Sequence, residues 1–168
     1  MFPDININNY IYFGTYTITD ETILLNSLET AYKYGYRYID TATLYKNQNI
    51  IGTFLKKTLH TPEINTSELK FDLSKEITKR DTIWITSKVS FRVMPKGELA
   101  IRNSIDKTLS DLQTHYIDLM IIHAPEKNDI LTWKILSEYK EKGLIRNIGL
   151  SNYNFEKLKA FINNIDNQ

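Results

Sequence analysis

The chain contains no cysteine, which excludes disulfides and thiolate metal sites and gives no pointer to an oxidising compartment. It lacks an excess of either charge: 21 basic residues stand against 20 acidic ones, a formal net charge of +1. That balance supplies no field to draw the chain to nucleic acid or to an anionic membrane. No apolar run is long enough to span a bilayer, and the first residues carry no basic-then-apolar segment of the kind that directs secretion. A cytoplasmic protein is the expectation. Internal repeats, low-complexity tracts and linkers are also missing, as are a Gly-rich phosphate cradle and a basic cluster at a helix start. What is present is ordinary for a globular protein: 168 residues, 42% hydrophobic and 24% charged, enough for one domain (1–168) with a substantial core.

Within that plain composition, three apolar stretches each end on an ionisable residue. They are Tyr36-Arg37-Tyr38-Ile39-Asp40, Ile83-Trp84-Ile85-Thr86-Ser87-Lys88 and Asp118-Leu119-Met120-Ile121-Ile122-His123. A fourth, Ile145-Arg146-Asn147-Ile148-Gly149-Leu150, runs into Ser151-Asn152. Each reads as a buried parallel strand followed by a helical segment. The expected strands are 12–17, 37–41, 82–89, 117–123 and 144–150. The helices between and after them are expected over 21–34, 47–59, 98–112, 129–141 and 154–162. Thr19-Asp20 and Asn154 suit helix caps, and Gly35 and Gly143 suit helix ends. Ile23, Leu24, Leu28, Ala31 and Tyr32 recur at helical spacing and mark one buried face of the first helix, while 60–79 reads as a surface loop.

Parallel strands need crossover helices of one hand, so such units curl around a common axis and place their carboxyl ends on one rim. Asp40, Lys88 and His123 would meet there, with Tyr45 just past the first, as a proton-transfer site. Each residue also has a plainer reading. Tyr45 is one of 11 tyrosines, and a loop tyrosine is ordinarily an amphipathic surface residue. Lys88 could mark a solvated strand end, Asp40 could cap the next turn, and a histidine after an apolar strand is usually structural. His60 and His115 end no strand and read as surface residues.

The motifs resemble a known family. Tyr38-Ile39-Asp40-Thr41-Ala42 with Tyr45-Lys46-Asn47-Gln48 is similar to the signature of the aldo-keto reductases, with its Asp and Tyr five residues apart. Ile85-Thr86-Ser87-Lys88-Val89 resembles their lysine strand, and Asp118 to Pro125 their histidine strand. Gly143 to Tyr153 resembles the family's glycine-serine-asparagine segment, and Gly14-Thr15-Tyr16 its opening strand. The order is correct along nearly the whole chain, apart from 60–79.

The resemblance implies an α/β fold, the (β/α)8 TIM barrel, of which this chain would hold about five β/α units with parallel strands. It implies reduction of a small carbonyl substrate, an aldehyde or ketone, with NADPH as cofactor. Tyr45 would be the general acid. A phenol with a pKa of about 10 is poorly matched to neutral pH, and a nearby ammonium, Lys88, would favour the phenolate. Asp40 would hold Lys88 charged and aimed, and His123 would donate a hydrogen bond to the substrate oxygen. Ser151 and Asn152 would bind the nicotinamide carboxamide, with Asp40, Thr15 and Tyr16 beside the same ring. No metal is implied.

Two local departures stand out: Ala124 replaces the usual Trp of the substrate pocket, and Gln48 the usual Glu. The length is a third, since a complete barrel needs about 250 residues. The expectation is an N-terminal part of the barrel, a truncated member, with open edges at its first and fifth strands. Its inward side chains, such as Tyr38, Trp84 and Ile121, would then be uncovered. Such a surface invites self-association or a complementing C-terminal half. The alternatives to an active reductase are a non-catalytic remnant or interaction module, and one half of a split enzyme.

Overall fold

A computed structural model describes residues 11–60 and 79–166 of the chain. Five strands form one parallel sheet in the order β1-β2-β3-β4-β5: β1 Tyr12–Gly14, β2 Tyr38–Asp40, β3 Trp84–Val89, β4 Ile117–Ile122 and β5 Ile145–Leu150. The helices are α1 Glu21–Lys33, α2 Gln48–His60, α3 Glu98–Asp111, α4 Asp129–Glu141 and α5 Phe155–Asp166. Every strand pairs with its sequence neighbour, so each crossover steps the same way and right-handedness sends all the helices to one face. Accordingly α1 packs on α2, α2 on α3, α3 on α4 and α4 on α5. None of the helices among the described residues is long and apolar enough to cross a membrane.

The alternation of side chains divides the sheet cleanly. Ile39, Ile85, Val89, Met120 and Ile122 point to the helices and are buried. They meet Leu24 and Leu28 of α1, Ile51, Phe54 and Leu55 of α2, Ile101 and Ile105 of α3, and Ile135 and Leu136 of α4. On the opposite face Tyr12, Tyr38 and Trp84 share one row, and their rings pack in tilted pairs at 5.1 and 5.9 Å between centroids. Tyr38, Trp84 and Ile121 are half-buried there, and Asn147 is exposed. Among the described residues, β1 and β5 each have a partner on one side only.

The element order matches the sequence expectation, with three differences. β1 stops at Gly14 because the chain turns at Tyr16-Thr17, where Thr17 takes a φ of 65° and the Ile18 amide closes on the Thr15 carbonyl. Ile23 is 59% exposed, since it lies about 100° round the helix from Leu24 and off the buried stripe. Helix α5 runs to Asp166, past the expected 162. Asp20 caps α1 through the Ile23 amide and Asn154 caps α5 through the Lys157 amide. Gly35 and Gly143 follow α1 and α4 with φ of 90° and 74°. His115 is exposed. The surface-loop reading of 60–79 gives way at both ends, where His60 closes α2 and Lys79 opens a 3₁₀ turn, Lys79–Thr82, while its interior, 61–78, and the His60 side chain lie outside the described residues.

Candidate active site

The carboxyl ends of the strands carry the ionisable residues singled out above. Lys88 shares the helix-free face with Trp84 and Thr86, four and two residues before it on β3. Its side chain is only 9% exposed, so all three ammonium protons need acceptors. The amine lies 2.6 Å from Asp40 Oδ1, 3.0 Å from the Thr41 carbonyl and 3.5 Å from the Tyr45 hydroxyl, the last at the outer limit of a hydrogen bond. Asp40 reaches it because the β2–β3 register sets Asp40 beside Thr86, one pleat below Lys88.

Tyr45 closes a single 3₁₀ turn, Thr43–Tyr45. Thr43 Oγ1 ties that turn to β3 by donating to the Lys88 carbonyl at 3.1 Å. Lys46 follows in the left-handed region, at φ 59°. His123 comes directly after β4, and its amide donates to the Val89 carbonyl at 3.1 Å. Its imidazole stands edge-on between Tyr45, at 5.9 Å, and Phe91, at 6.0 Å. Nδ1 is buried and has no hydrogen-bond partner. Burial holds the His123 pKa below the ordinary imidazole value, the Lys88 charge adds to that, and Asp40 partly opposes it. An imidazolium there would also bury a charged N–H without an acceptor, so the ring is held neutral.

Of the residues expected around a nicotinamide ring, Tyr16 is 66% exposed, with its ring 5.0 Å from that of Tyr45. Thr15 is fully buried and its hydroxyl donates to the Asp40 carbonyl, so it props β2 from below the rim. The Ser151 amide donates to the Ile122 carbonyl. Asn152, at φ 61°, donates from Nδ2 to the His123 carbonyl at 2.6 Å and to Ser151 Oγ at 3.1 Å. Tyr16, Tyr45, His123, Ser151 and Asn152 thus share one rim with the Lys88–Asp40 pair. Gln48 faces the other way, donating to Ser87 Oγ at 2.7 Å within the helix-side layer.

Two neighbours of the site were passed over in the sequence. Thr43 carried no signal beyond its place in the Asp-to-Tyr spacing. Phe91 lies three residues after Lys88 in a loop without periodicity, and its ring stands edge-on to that of His123 at 6.0 Å.

The chain matches the profile of the "Aldo/keto reductase family" over residues 10–166. It is 29% identical to methylglyoxal reductase DkgB of Escherichia coli O157:H7 over 153 residues, 89% of this chain and 49% of that protein. With an aldose reductase of Encephalitozoon cuniculi it shares 30% identity over 171 residues, covering 86% and 50%. Among solved structures, the aldose reductase of Giardia lamblia superposes with a TM-score of 0.68 at 30% identity, over 90% of this chain and 52% of that one. An aldo/keto reductase from Brucella melitensis gives 0.71 at 26% identity, over 91% and 53%. The chain spans about half the length of the curated relatives it matches. With the family profile covering almost all of its length, this chain belongs to the aldo/keto reductase family.

Proposed function

We propose that this chain carries the proton-delivery half of an NADPH-dependent oxidoreductase that reduces small aldehydes and ketones to alcohols. The observation that carries the reading is the Lys88 ammonium, buried against Asp40 and 3.5 Å from the Tyr45 hydroxyl. Tyr45 gives its phenolic proton to the carbonyl oxygen, and the ammonium beside it stabilises the negative charge that develops on the phenol oxygen. Asp40 keeps Lys88 aimed at Tyr45 and neutralises its buried charge. His123, with a bare Nδ1, keeps its proton on Nε2 and donates it as a hydrogen bond to the substrate oxygen. Tyr16 stands against Tyr45 and Phe91 against His123, so the four rings form one row that fixes the two reacting side chains.

The residues at the rim fit the nicotinamide end of the cofactor: an exposed aromatic ring, Tyr16, lies beside Tyr45, and the polar pair Ser151 and Asn152 ends β5. NADPH when bound supplies the hydride. Ser151 and Asn152 would hold its carboxamide, and Tyr16 would lie against its ring. The one-sided edges of β1 and β5 support completion of the sheet by further β/α units, from the same polypeptide or from a complementing one.

Mixing the protein with NADPH and methylglyoxal, a substrate taken from the name of the Escherichia coli relative, tests the reading. The expected result is quenching of NADPH fluorescence and aldehyde-dependent loss of NADPH absorbance. Tyr45→Phe should abolish turnover while leaving the melting temperature near that of the wild type. An unchanged rate in Tyr45→Phe would remove Tyr45 from the chemistry. Absence of both signals in the wild type, alone and with a segment matching the other half of the relatives, would remove the reductase reading.

A further inference from the structure

Asn47 is fully buried at the position just before α2, where an asparagine side chain ordinarily caps the helix by accepting from its first amides. Here the side chain is committed elsewhere. Nδ2 donates to the Thr15 carbonyl at 2.8 Å and to the Ile18 carbonyl at 3.0 Å, and Oδ1 accepts from Thr41 Oγ1 at 3.1 Å. Both amide protons therefore hold the loop after β1, and the oxygen holds the end of β2. Those two segments carry Tyr16 and Tyr45, whose rings lie 5.0 Å apart. Thr43 pins the other side of the Tyr45 turn to β3, so Tyr45 sits between two anchors. The Tyr16 loop contains a non-glycine residue at positive φ, Thr17, a conformation that persists where surrounding contacts impose it.

We propose that Asn47 is a positioning residue for carbonyl reduction: it locks the Tyr16 loop to the Tyr45 turn and so sets the register between the ring that covers the cofactor and the acid that protonates the substrate. This rests on the reductase reading above. The mechanism is geometric. A misplacement of about 1 Å between reacting groups can cost on the order of a hundredfold in rate, and Asn47 spans the two loops with three hydrogen bonds, beside the single bond from the Thr15 hydroxyl to the Asp40 carbonyl.

Asn47→Asp keeps the shape but turns a carboxylate toward two carbonyl oxygens, breaking both donor bonds. Thr41→Val removes only the third bond, and Thr41→Ser restores its hydroxyl. Tyr139→Phe is the control for stability alone, because it deletes a hydrogen bond to Asp106 between α4 and α3, away from the rim. In a wild type that reduces methylglyoxal, Asn47→Asp is expected to lower kcat on the order of tenfold to a hundredfold and to raise the KM for NADPH. Thr41→Val should lose a few-fold in kcat and Thr41→Ser should recover it. The proposal is overturned if Asn47→Asp stays within about twofold of the wild type, or if its kcat loss equals that of Tyr139→Phe at the same fraction folded. Should Asn47→Asp fail to fold, the Thr41 pair decides the matter, and equal rates in Val and Ser overturn it.

A wild type without turnover counts against the reductase reading, and the lock is then read from amide hydrogen exchange. Faster exchange at Ile18 and Tyr45 in Asn47→Asp, relative to Tyr139→Phe, supports it. Unchanged exchange at both amides overturns it.

Discussion

Replacing Gly52 with alanine is expected to force α2 away from α3. A Cβ built on Gly52 stands 2.1 Å from the Asp111 carbonyl oxygen, and 3.0 and 3.1 Å from the carbonyl carbons of Leu112 and Asp111. Carbon–oxygen contacts are ordinary only from roughly 3.3 Å outward, so the helices must separate by roughly 1 Å. The obstacle is backbone at the end of α3, which cannot swing aside as a side chain would. Ile51 and Leu55 flank the contact and are fully buried, and Thr108 Oγ1 bonds Gln48 Oε1 across the same seam at 3.4 Å. Forcing extra volume into such a core costs about 1–3 kcal/mol, and the rigid obstacle argues for the upper end. Alanine recovers about 1 kcal/mol of helix propensity, leaving a net loss of about 2 kcal/mol. For a chain of this size that corresponds to a fall of about 4–8 °C in melting temperature. Thermal unfolding followed by far-UV circular dichroism measures it, with exposed Thr53→Ala on the same helix as the control. A Gly52→Ala protein that melts at or above the wild-type temperature would show that helix propensity governs the site, and would refute the close-approach argument.

Asp118 is 2% exposed, accepting from Arg80, the Ile85 amide and Arg146, while Arg80 also donates to the Ile83 and Tyr116 carbonyls and to Thr114. Asp118→Ala leaves the buried Arg80 without its counter-charge and is expected to cost about 3–5 kcal/mol in urea unfolding; a loss below about 1 kcal/mol would show that Arg80 relaxes to water. His123 is a pH probe. Its folded pKa lies below the unfolded value of about 6.5, so the unfolded chain takes up the proton first as pH falls, and stability present above about pH 6.5 is lost on acidification. His123→Phe should therefore lose less of its urea midpoint than the wild type between about pH 7.5 and pH 5, and equal losses would place the imidazole in water.

Much of the fold was readable because a parallel sheet leaves a coarse signature: near-continuous apolar runs separated by helices with one buried stripe. The five strands and five helices follow that signature, and so does the shared rim of Asp40, Lys88 and His123, each of which ends an apolar stretch; the register that sets Asp40 beside Thr86 is visible only in the fold. What escaped the sequence depends on contacts between distant positions. Gly52 is one glycine inside an amphipathic helix, and nothing local says that Asp111 approaches it. Asp118 opens an apolar stretch as though it were a solvated strand end. Its burial follows from Arg80, 38 positions away. Asn47 reads as the first residue of a helix, and only the fold brings the Thr15 and Ile18 carbonyls to its Nδ2 and the Thr41 hydroxyl to its Oδ1. Ile23 fails for a local reason: the stripe set by Leu24 and Leu28 is too narrow to include it.

The rim has a common construction that explains why one of its residues needs extra support. The sheet's hydrogen bonding runs past the strand ends: Thr15 N bonds the Asp40 carbonyl, Thr41 N the Thr86 carbonyl, His123 N the Val89 carbonyl and Ser151 N the Ile122 carbonyl. Asp40, Lys88, His123 and Ser151 therefore sit on or next to rungs of the ladder, and their Cα positions inherit the regularity of the sheet. Tyr45 does not. It stands five residues beyond β2 on one turn of 3₁₀ helix, and its amide bonds only Ala42 within that turn. A single such turn is weak in isolation. The side-chain bonds from Thr43 to β3 and from Asn47 to the loop after β1 take the place that rungs have for the other residues. Loss of either tie should thus disturb Tyr45 before it disturbs Lys88 or His123.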